Sequence, residues 1–450
     1  MLGSSLAKLR CHPLALGMLA TLAFLSPREA AALPSYAQQT GQPCSACHVG
    51  AFGPQLKPFG RAFKLNGYVL SDGKDHPLPL AFLIDASFTH TATEQPNPAP
   101  TALFGAAGSN NNFGVDEAAI FYGGRIAPNV GAFVQVTFDE VANQLHWDDS
   151  DIRYARTGNL FGNDFVAGLT LNNHPTVQDL WNSTPAWGFP YVTADLLPTP
   201  SASTLIDNSL AQRVVGLGGY TLWNDWVYAE VDGYQPLGLD VLNALGIVPI
   251  AGATSYDGVM PYWRVAVQHD VGNNYFEVGT YGIAGRAFPG GDQSAGTTDN
   301  LTDMAFDATY QWAGSEDHFV SAHATYIDEQ LDLNASSALI GSNLRDHLST
   351  FRTDLTYSYQ DTIVPTIQYF STWGSNDAAY WGTANGSPNS SGFKAEIAYV
   401  PLGKIDSFTH VYNARIALQY TAYTRFNGTT QGASDNNALL VLFQLSGAPL

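Results

Sequence analysis

From about residue 80 onward, apolar and polar side chains alternate with a period of two rather than recurring every three or four positions. Over residues 351–360, Phe351, Leu355, Tyr357 and Tyr359 fall on one face and Arg352, Asp354, Thr356, Ser358 and Gln360 on the other. Successive side chains of a strand point to opposite sides, so this pattern predicts strands with one apolar and one polar face. It recurs at Val134, Val136 and Phe138 against Gln135, Thr137 and Asp139, and at Ile416, Leu418, Tyr420 and Ala422 against Gln419, Thr421, Tyr423 and Arg425. Strands are predicted to begin near Leu80, Phe113, Val130, Asp151, Asp164, Arg213, Asp225, Pro261, Asn273, Leu301, His318, Leu348, Thr362, Gly392, Phe408 and Asn437. That is about sixteen, an even number as closure with both ends on one side requires. Trp223-Asn224-Asp225 and Val271-Gly272-Asn273 read as tight turns. The Pro/Gly/Ser/Asn-rich segments 95–112, 175–207, 238–260, 288–300 and 374–390 read as surface loops.

The N-terminus has a different character. Lys8 and Arg10 precede an apolar run over residues 14–25, and Ala30, Ala31 and Ala32 supply small residues for a cleavage site, so residues 1–32 read as a secretory signal peptide. The run is too short for the ~20 apolar residues of a spanning helix, and no later stretch reaches that length. An exported membrane protein of this sequence must therefore cross by strands. Only 13% of residues are charged, about half the share of ordinary soluble domains. The formal charge of -20 argues against nucleic acid as a partner. A soluble β-sandwich also alternates, but export, low charge and the 22 Tyr, 24 Phe and 9 Trp available for interfacial girdles favour a barrel. The expected fold is all-β: a transmembrane barrel of about 16 antiparallel strands over residues 80–450, in contact with outer-membrane lipid, preceded by a short segment over residues 33–79.

That segment holds the chemistry. Cys11 leaves with the signal, so Cys44 and Cys47 are the only thiols of the mature chain, and with His48 they form C-x-x-C-H. The spacing is that of c-type haem attachment, two thiols for the porphyrin vinyls and an imidazole for the iron, and it predicts one covalent haem c with His48 as proximal ligand. A Cys44–Cys47 disulfide or a redox pair is the competing reading; a redox pair belongs beside a βαβ unit, and none surrounds this motif. For the sixth position Met260 and Met304 lie far downstream, while His76 and His90 are local. His76, in Asp75-His76-Pro77, is the distal candidate, against a plain linker histidine.

At these residues the chain resembles the fused cytochrome-porins of bacterial outer membranes, whose best-known members are the iron-oxidising outer-membrane cytochromes. The resemblance covers residues 33–68: the lead-in Tyr36-Ala37-Gln38-Gln39-Thr40-Gly41, the haem motif, then Pro54, Leu56, Phe59-Gly60-Arg61, Phe63-Lys64 and Gly67-Tyr68. Gln38 departs from the Arg of many members. The resemblance implies a partly helical monohaem segment in or at the mouth of the barrel. It also implies an electron path from an extracellular donor, Fe(II) in the best-known members, to a periplasmic acceptor cytochrome, an Fe(II):cytochrome c oxidoreductase activity. Two rival readings are a porin for small solutes with a haem-bearing plug, and a soluble periplasmic cytochrome with an all-β domain.

An acid-rich lumen would attract cations. Asp139, His323 and Asp354 have inward parity, Asp116 and Glu117 open the second strand, and the run His146-Trp147-Asp148-Asp149-Ser150-Asp151 reads as a cation site or a hydrated turn. No Ser-His-Asp order, phosphate-cradling loop or HExxH pair is present, so catalysis beyond electron transfer has no residue support.

Overall fold

The computed structural model describes residues 33–74, 78–94, 110–139, 143–184, 194, 196–247, 254–404 and 412–449. The predicted signal peptide and His76 lie outside the described residues.

The strands are β1 (Leu80–Thr91), β2 (Asn111–Ala127), β3 (Val130–Asp139), β4 (Gln144–Leu160), β5 (Asn163–Asn172), β6 (Val214–Trp223), β7 (Val227–Pro236) and β8 (Met260–Val271). They continue as β9 (Asn274–Phe288), β10 (Asp299–Ser315), β11 (His318–Asp332), β12 (Arg345–Tyr359), β13 (Ile363–Gly374), β14 (Ser390–Tyr399), β15 (Tyr412–Arg425) and β16 (Ala438–Gly447). A short piece, Ser255–Asp257, continues β8 along β9. From Tyr262↔Ile283 to Asp257↔Arg286 one chain moves five residues and the other three, which marks an irregularity at Gly258 and Val259 rather than a further strand.

Every strand is antiparallel to its neighbours, and β16 returns to β1 from Phe82↔Gly447 to Thr91↔Ala438, which closes the sheet. The predicted count of about sixteen agrees with this circuit. Tight turns join alternate strands at one end: in two of them the central residues, Asn224 and Asp225, and Gln360 and Asp361, all have positive φ. Turns with both central residues at positive φ match the right-handed twist of the strands they join.

The alternation is realised inside out. On β12 Leu355 is 49% exposed while Thr356 and Ser358 are 1% exposed, and on β15 Ile416 and Leu418 face outward while Gln419 and Thr421 are buried. Water would not leave an apolar face bare and bury a polar one, so the outer surface is a lipid belt. Trp223, Trp226, Trp312, Tyr359 and Tyr399 are exposed near the short-turn end, where an aromatic girdle belongs. Among the described residues no helix is long and apolar enough to cross a membrane.

Three sequence expectations are corrected. The fourth strand begins at Gln144 instead of Asp151: between Val134↔Ser150 and Val136↔Trp147, β4 carries one extra residue, and that bulge breaks the alternation. Residues 175–207 were expected on the surface, yet Val177, Leu180, Trp181, Leu205 and Ile206 are buried within the barrel. The lumen, read from the sequence as an acid-rich interior that would attract cations, is filled among the described residues. Arg153, Arg264, Asp151, Glu230, Ser321 and Glu329 all point inward and are at most 2% exposed, whereas barrels of 16 to 18 strands ordinarily leave an aqueous channel.

Candidate functional site

The filling of the short-turn end is the segment that carries the C-x-x-C-H motif. It contains α1 (Pro34–Thr40), α2 (Cys44–Cys47) and α3 (Pro58–Leu65). Pro34 opens α1 and Gly41 ends it in the left-handed region at φ 66. After Pro43, α2 is a single turn closed by His48 N donating to Cys44 O at 2.8 Å. The i, i+3 spacing of Cys44 and Cys47 on that turn puts both thiols on one side. The chain then doubles back: Val49 N donates to Gln55 O at 3.0 Å and Lys57 N to Cys47 O at 2.8 Å. Helix α3 lies so close that a Cβ on Gly60 would sit 2.4 Å from Cys47 O. Tyr36 stacks on Tyr68 at 5.4 Å and meets Phe63 edge-on at 4.9 Å, which locks α1 to the end of the segment.

The barrel wall holds this segment on several sides. Tyr36 Oη donates to Ala132 O on β3 at 2.7 Å, Tyr68 Oη to Asp151 on β4 at 2.6 Å, and Tyr220 Oη of β6 to Leu65 O at 2.8 Å. Arg61 stacks over Tyr275 of β9 at 3.8 Å and donates to Gln311 of β10 at 2.7 Å. Gln55 reaches His323 of β11 and Asp354 of β12, both at 3.4 Å. Deeper in the lumen Lys64 Nζ donates to Asp179 O at 2.8 Å and also to Val177 O, on the infolded loop.

Cys44 and Cys47 are free and buried. Loss of solvation pushes both thiols up, Cys47 to about 12, so neither ionises at neutral pH. Burial lowers His48 to about 4, against the opposing effect of the Gly53 backbone. Its buried Nδ1 has no hydrogen-bond partner among the described residues. Two unpaired thiols on one side of a turn, beside a neutral imidazole with an unpartnered nitrogen, form a donor set that fits a covalently attached haem. Neither methionine suits the sixth position: Met304 is exposed on the outer face, and Met260 packs against Gly285 and Leu205 at the long-loop end.

The lumen carboxylates do other work. His323 Nδ1 and Asp354 Oδ1 pair at 3.0 Å, and a cavity of about 20 Å³, room for one water, lies among Gln55, Ser183, His323 and Arg352. Gln135 donates to Glu117 at 2.6 Å. Asp116 lies beside it on β2, and Asp139 ends β3 half-buried. The acidic run at 146–151 is not a turn but part of β4. Thr137 donates to Asp148 at 2.7 Å, Asp149 pairs with His174 Nδ1 at 2.8 Å, and Asp151 accepts from Arg153 at 2.7 Å. Among the described residues no three His, Cys, Asp or Glu side chains gather as metal ligands. Sequence reasoning missed Arg153, Asp361 and Asn413, whose importance arises only from what the segment presents to them.

A closed barrel with an apolar outer belt and a polar interior is a transmembrane β-barrel of the bacterial outer membrane. No protein-family model and no curated protein sequence matches the chain. Similar solved structures include OmpT of Vibrio cholerae (11% identity, TM-score 0.42, covering 82% of this chain and 96% of that one). Others are the outer membrane channel DcaP of Acinetobacter baumannii (11%, 0.43, 82% and 96%) and an anion-selective porin from Comamonas acidovorans (11%, 0.43, 82% and 98%). The barrel assignment rests on this chain's own registers, and the reading of the N-terminal segment on its C-x-x-C-H motif.

Proposed function

We propose that this outer-membrane barrel transfers electrons through one haem c carried by residues 33–79, from an extracellular reductant to a periplasmic acceptor cytochrome. The observation that carries the reading is the seat of the C-x-x-C-H turn inside the short-turn end of the barrel. Short turns of outer-membrane barrels face the periplasm and longer loops the outside, so the motif lies on the acceptor's side. Cys44 and Cys47 would hold the haem by thioethers, His48 would bind its iron, and His76 is the proposed distal ligand. When bound, the haem supplies one-electron oxidation and reduction. The chain's own part is positional: Gly60 lets α3 press on the motif, and Arg61 and Tyr68 tie the segment to the wall. Ferrous iron is the donor to test first.

Protein purified from outer membranes and oxidised beforehand should be reduced rapidly by anaerobic Fe(II), measured against dithionite as full scale. Cys44→Ala and His48→Ala should keep the folded barrel and lose the haem spectrum. Protein free of haem after expression with haem-attachment machinery overturns the reading. Reduction by dithionite but not by Fe(II) at any pH tried removes iron as donor.

A second reading, a porin whose haem-bearing segment is a plug, is favoured by one observation: the wall behind the segment is polar, as Gln135, Thr137, Gln311 and Thr356 illustrate. Conductance in planar bilayers that changes with haem redox state would support it.

A further inference from the structure

Two side chains of the barrel grip the motif turn from outside the segment. Asn413, the second residue of β15, is 1% exposed; its Nδ2 donates to Cys44 Sγ at 3.1 Å and to Ala51 O at 2.7 Å. Its Oδ1 accepts Ala414 N at 2.9 Å, which fixes the way the amide points. Asp361 lies in the tight turn between β12 and β13. It accepts Gly50 N at 3.2 Å, Lys57 Nζ at 2.9 Å on each oxygen, and Ser358 Oγ at 3.0 Å. Gly50 has φ 68, and a Cβ there would lie 2.7 Å from Val364 Cγ2, so the turn is pressed against β13 between these grips. Asn413 thus holds the start of the 44–57 stretch, and Asp361 holds its middle and end.

Resting on the haem reading above, we infer that Asn413 and Asp361 are positioning residues for the haem-attachment turn, and that Asn413 tunes the attached group through the Cys44 sulfur. The thiol accepts a hydrogen bond weakly, and a thioether sulfur keeps lone pairs that still can. Donation from the amide draws electron density from that sulfur and favours the reduced state. Asp361 acts on geometry: it satisfies the buried Gly50 amide, which would otherwise lack a partner, and pairs with the part-buried Lys57 ammonium.

The test uses the full chain in two preparations, with heat-modifiable migration as the check that the barrel has folded. In the haem-loaded protein, Asn413→Leu should shift the midpoint potential downward, and Asn413→Gln, which keeps an amide donor, should recover part of the shift. In protein made without haem attachment, Asn413→Leu should raise maleimide labelling of Cys44 relative to Cys47 roughly fivefold, about the effect of one lost hydrogen bond. Asp361→Asn should speed proteolysis within residues 44–57. An unchanged potential together with an unchanged Cys44 to Cys47 labelling ratio overturns the inference. If Asn413→Leu does not fold, the comparison of Asn413→Gln with the parent carries the same decision. A protein that never acquires haem defeats the proposed function, while the labelling ratio still decides whether Asn413 holds Cys44.

Discussion

Lys64 of α3 donates to the main-chain carbonyl of Asp179 at 2.8 Å, so the N-terminal segment and the infolded loop are joined through one ammonium group. Arg153 completes the junction from β4: its Nη1 donates to Lys64 O at 3.3 Å and its Nη2 to Gln178 O. The loop folds inward because these two cations satisfy three of its carbonyls, which would otherwise need water.

Lys64→Met keeps the apolar stem and removes the donors. A hydrogen bond from a charged group contributes about 1.5–3 kcal/mol, so the loop should loosen. In planar bilayers the parent protein should stay closed and the variant should show openings.

The same lysine predicts a pH dependence. Burial, reinforced by Arg153, lowers Lys64 from 10.5 to about 8. Between those values the unfolded chain binds the extra proton, so this group's contribution to stability rises with pH from about 8 to 10.5 and is flat below 8. Urea midpoints in detergent should show the rise in the parent minus the Lys64→Met variant; equal slopes would remove Lys64 as its source.

Arg153 and Asp151 are both 0% exposed and pair at 2.7 Å, and Asp151 also accepts Tyr68 Oη. Arg153→Ala strands a buried carboxylate and should cost about 3–5 kcal/mol in equilibrium unfolding, while adding Asp151→Leu should return much of the loss. A double variant no more stable than the single one would count against this pairing.

At Gly131 on β3 a Cβ would lie 2.4 Å from Gly67 O and 2.9 Å from Tyr68 Cβ. Gly131→Ala should push the segment off the wall, so that limited proteolysis clips residues 33–74 while the barrel stays folded. Gly219→Ala, whose nearest neighbours are 3.7 Å away, should leave the clipping rate unchanged.

Leu418 stands 46% exposed midway along β15. Leu418→Arg should cost roughly 2–4 kcal/mol in folding into lipid vesicles, and Tyr359→Arg, at the short-turn end of β12, about 0–1 kcal/mol, because the penalty depends on depth.

Most of the barrel was legible because its two solvents differ. Lipid outside and polar contacts inside impose alternation on each strand separately, so residues 351–360 and 416–425 declare their faces without reference to any partner. The start of β4 was not legible, since the bulge between Trp147 and Ser150 places consecutive residues out of phase. Nor was the fate of residues 175–207. A polar, glycine- and proline-containing stretch looks the same on a surface as in a polar lumen, and what distinguishes the two is the set of wall and segment partners that meet it, Lys64, Arg153, Arg264 and Asp307 among them.

The sequence by itself determined the class of fold and located the candidate chemistry. Cys44, Cys47 and His48 are adjacent in the chain, so their spacing needs no tertiary information, and strand periodicity is local. The tertiary structure decided what those groups face. Asn413 lies far along the chain from Cys44 and Asp361 far from Gly50, and they meet only because closing β16 onto β1 curves the sheet around the segment. A contact made by closure leaves no local pattern: each partner, taken alone, is an ordinary polar residue at a strand end or a turn.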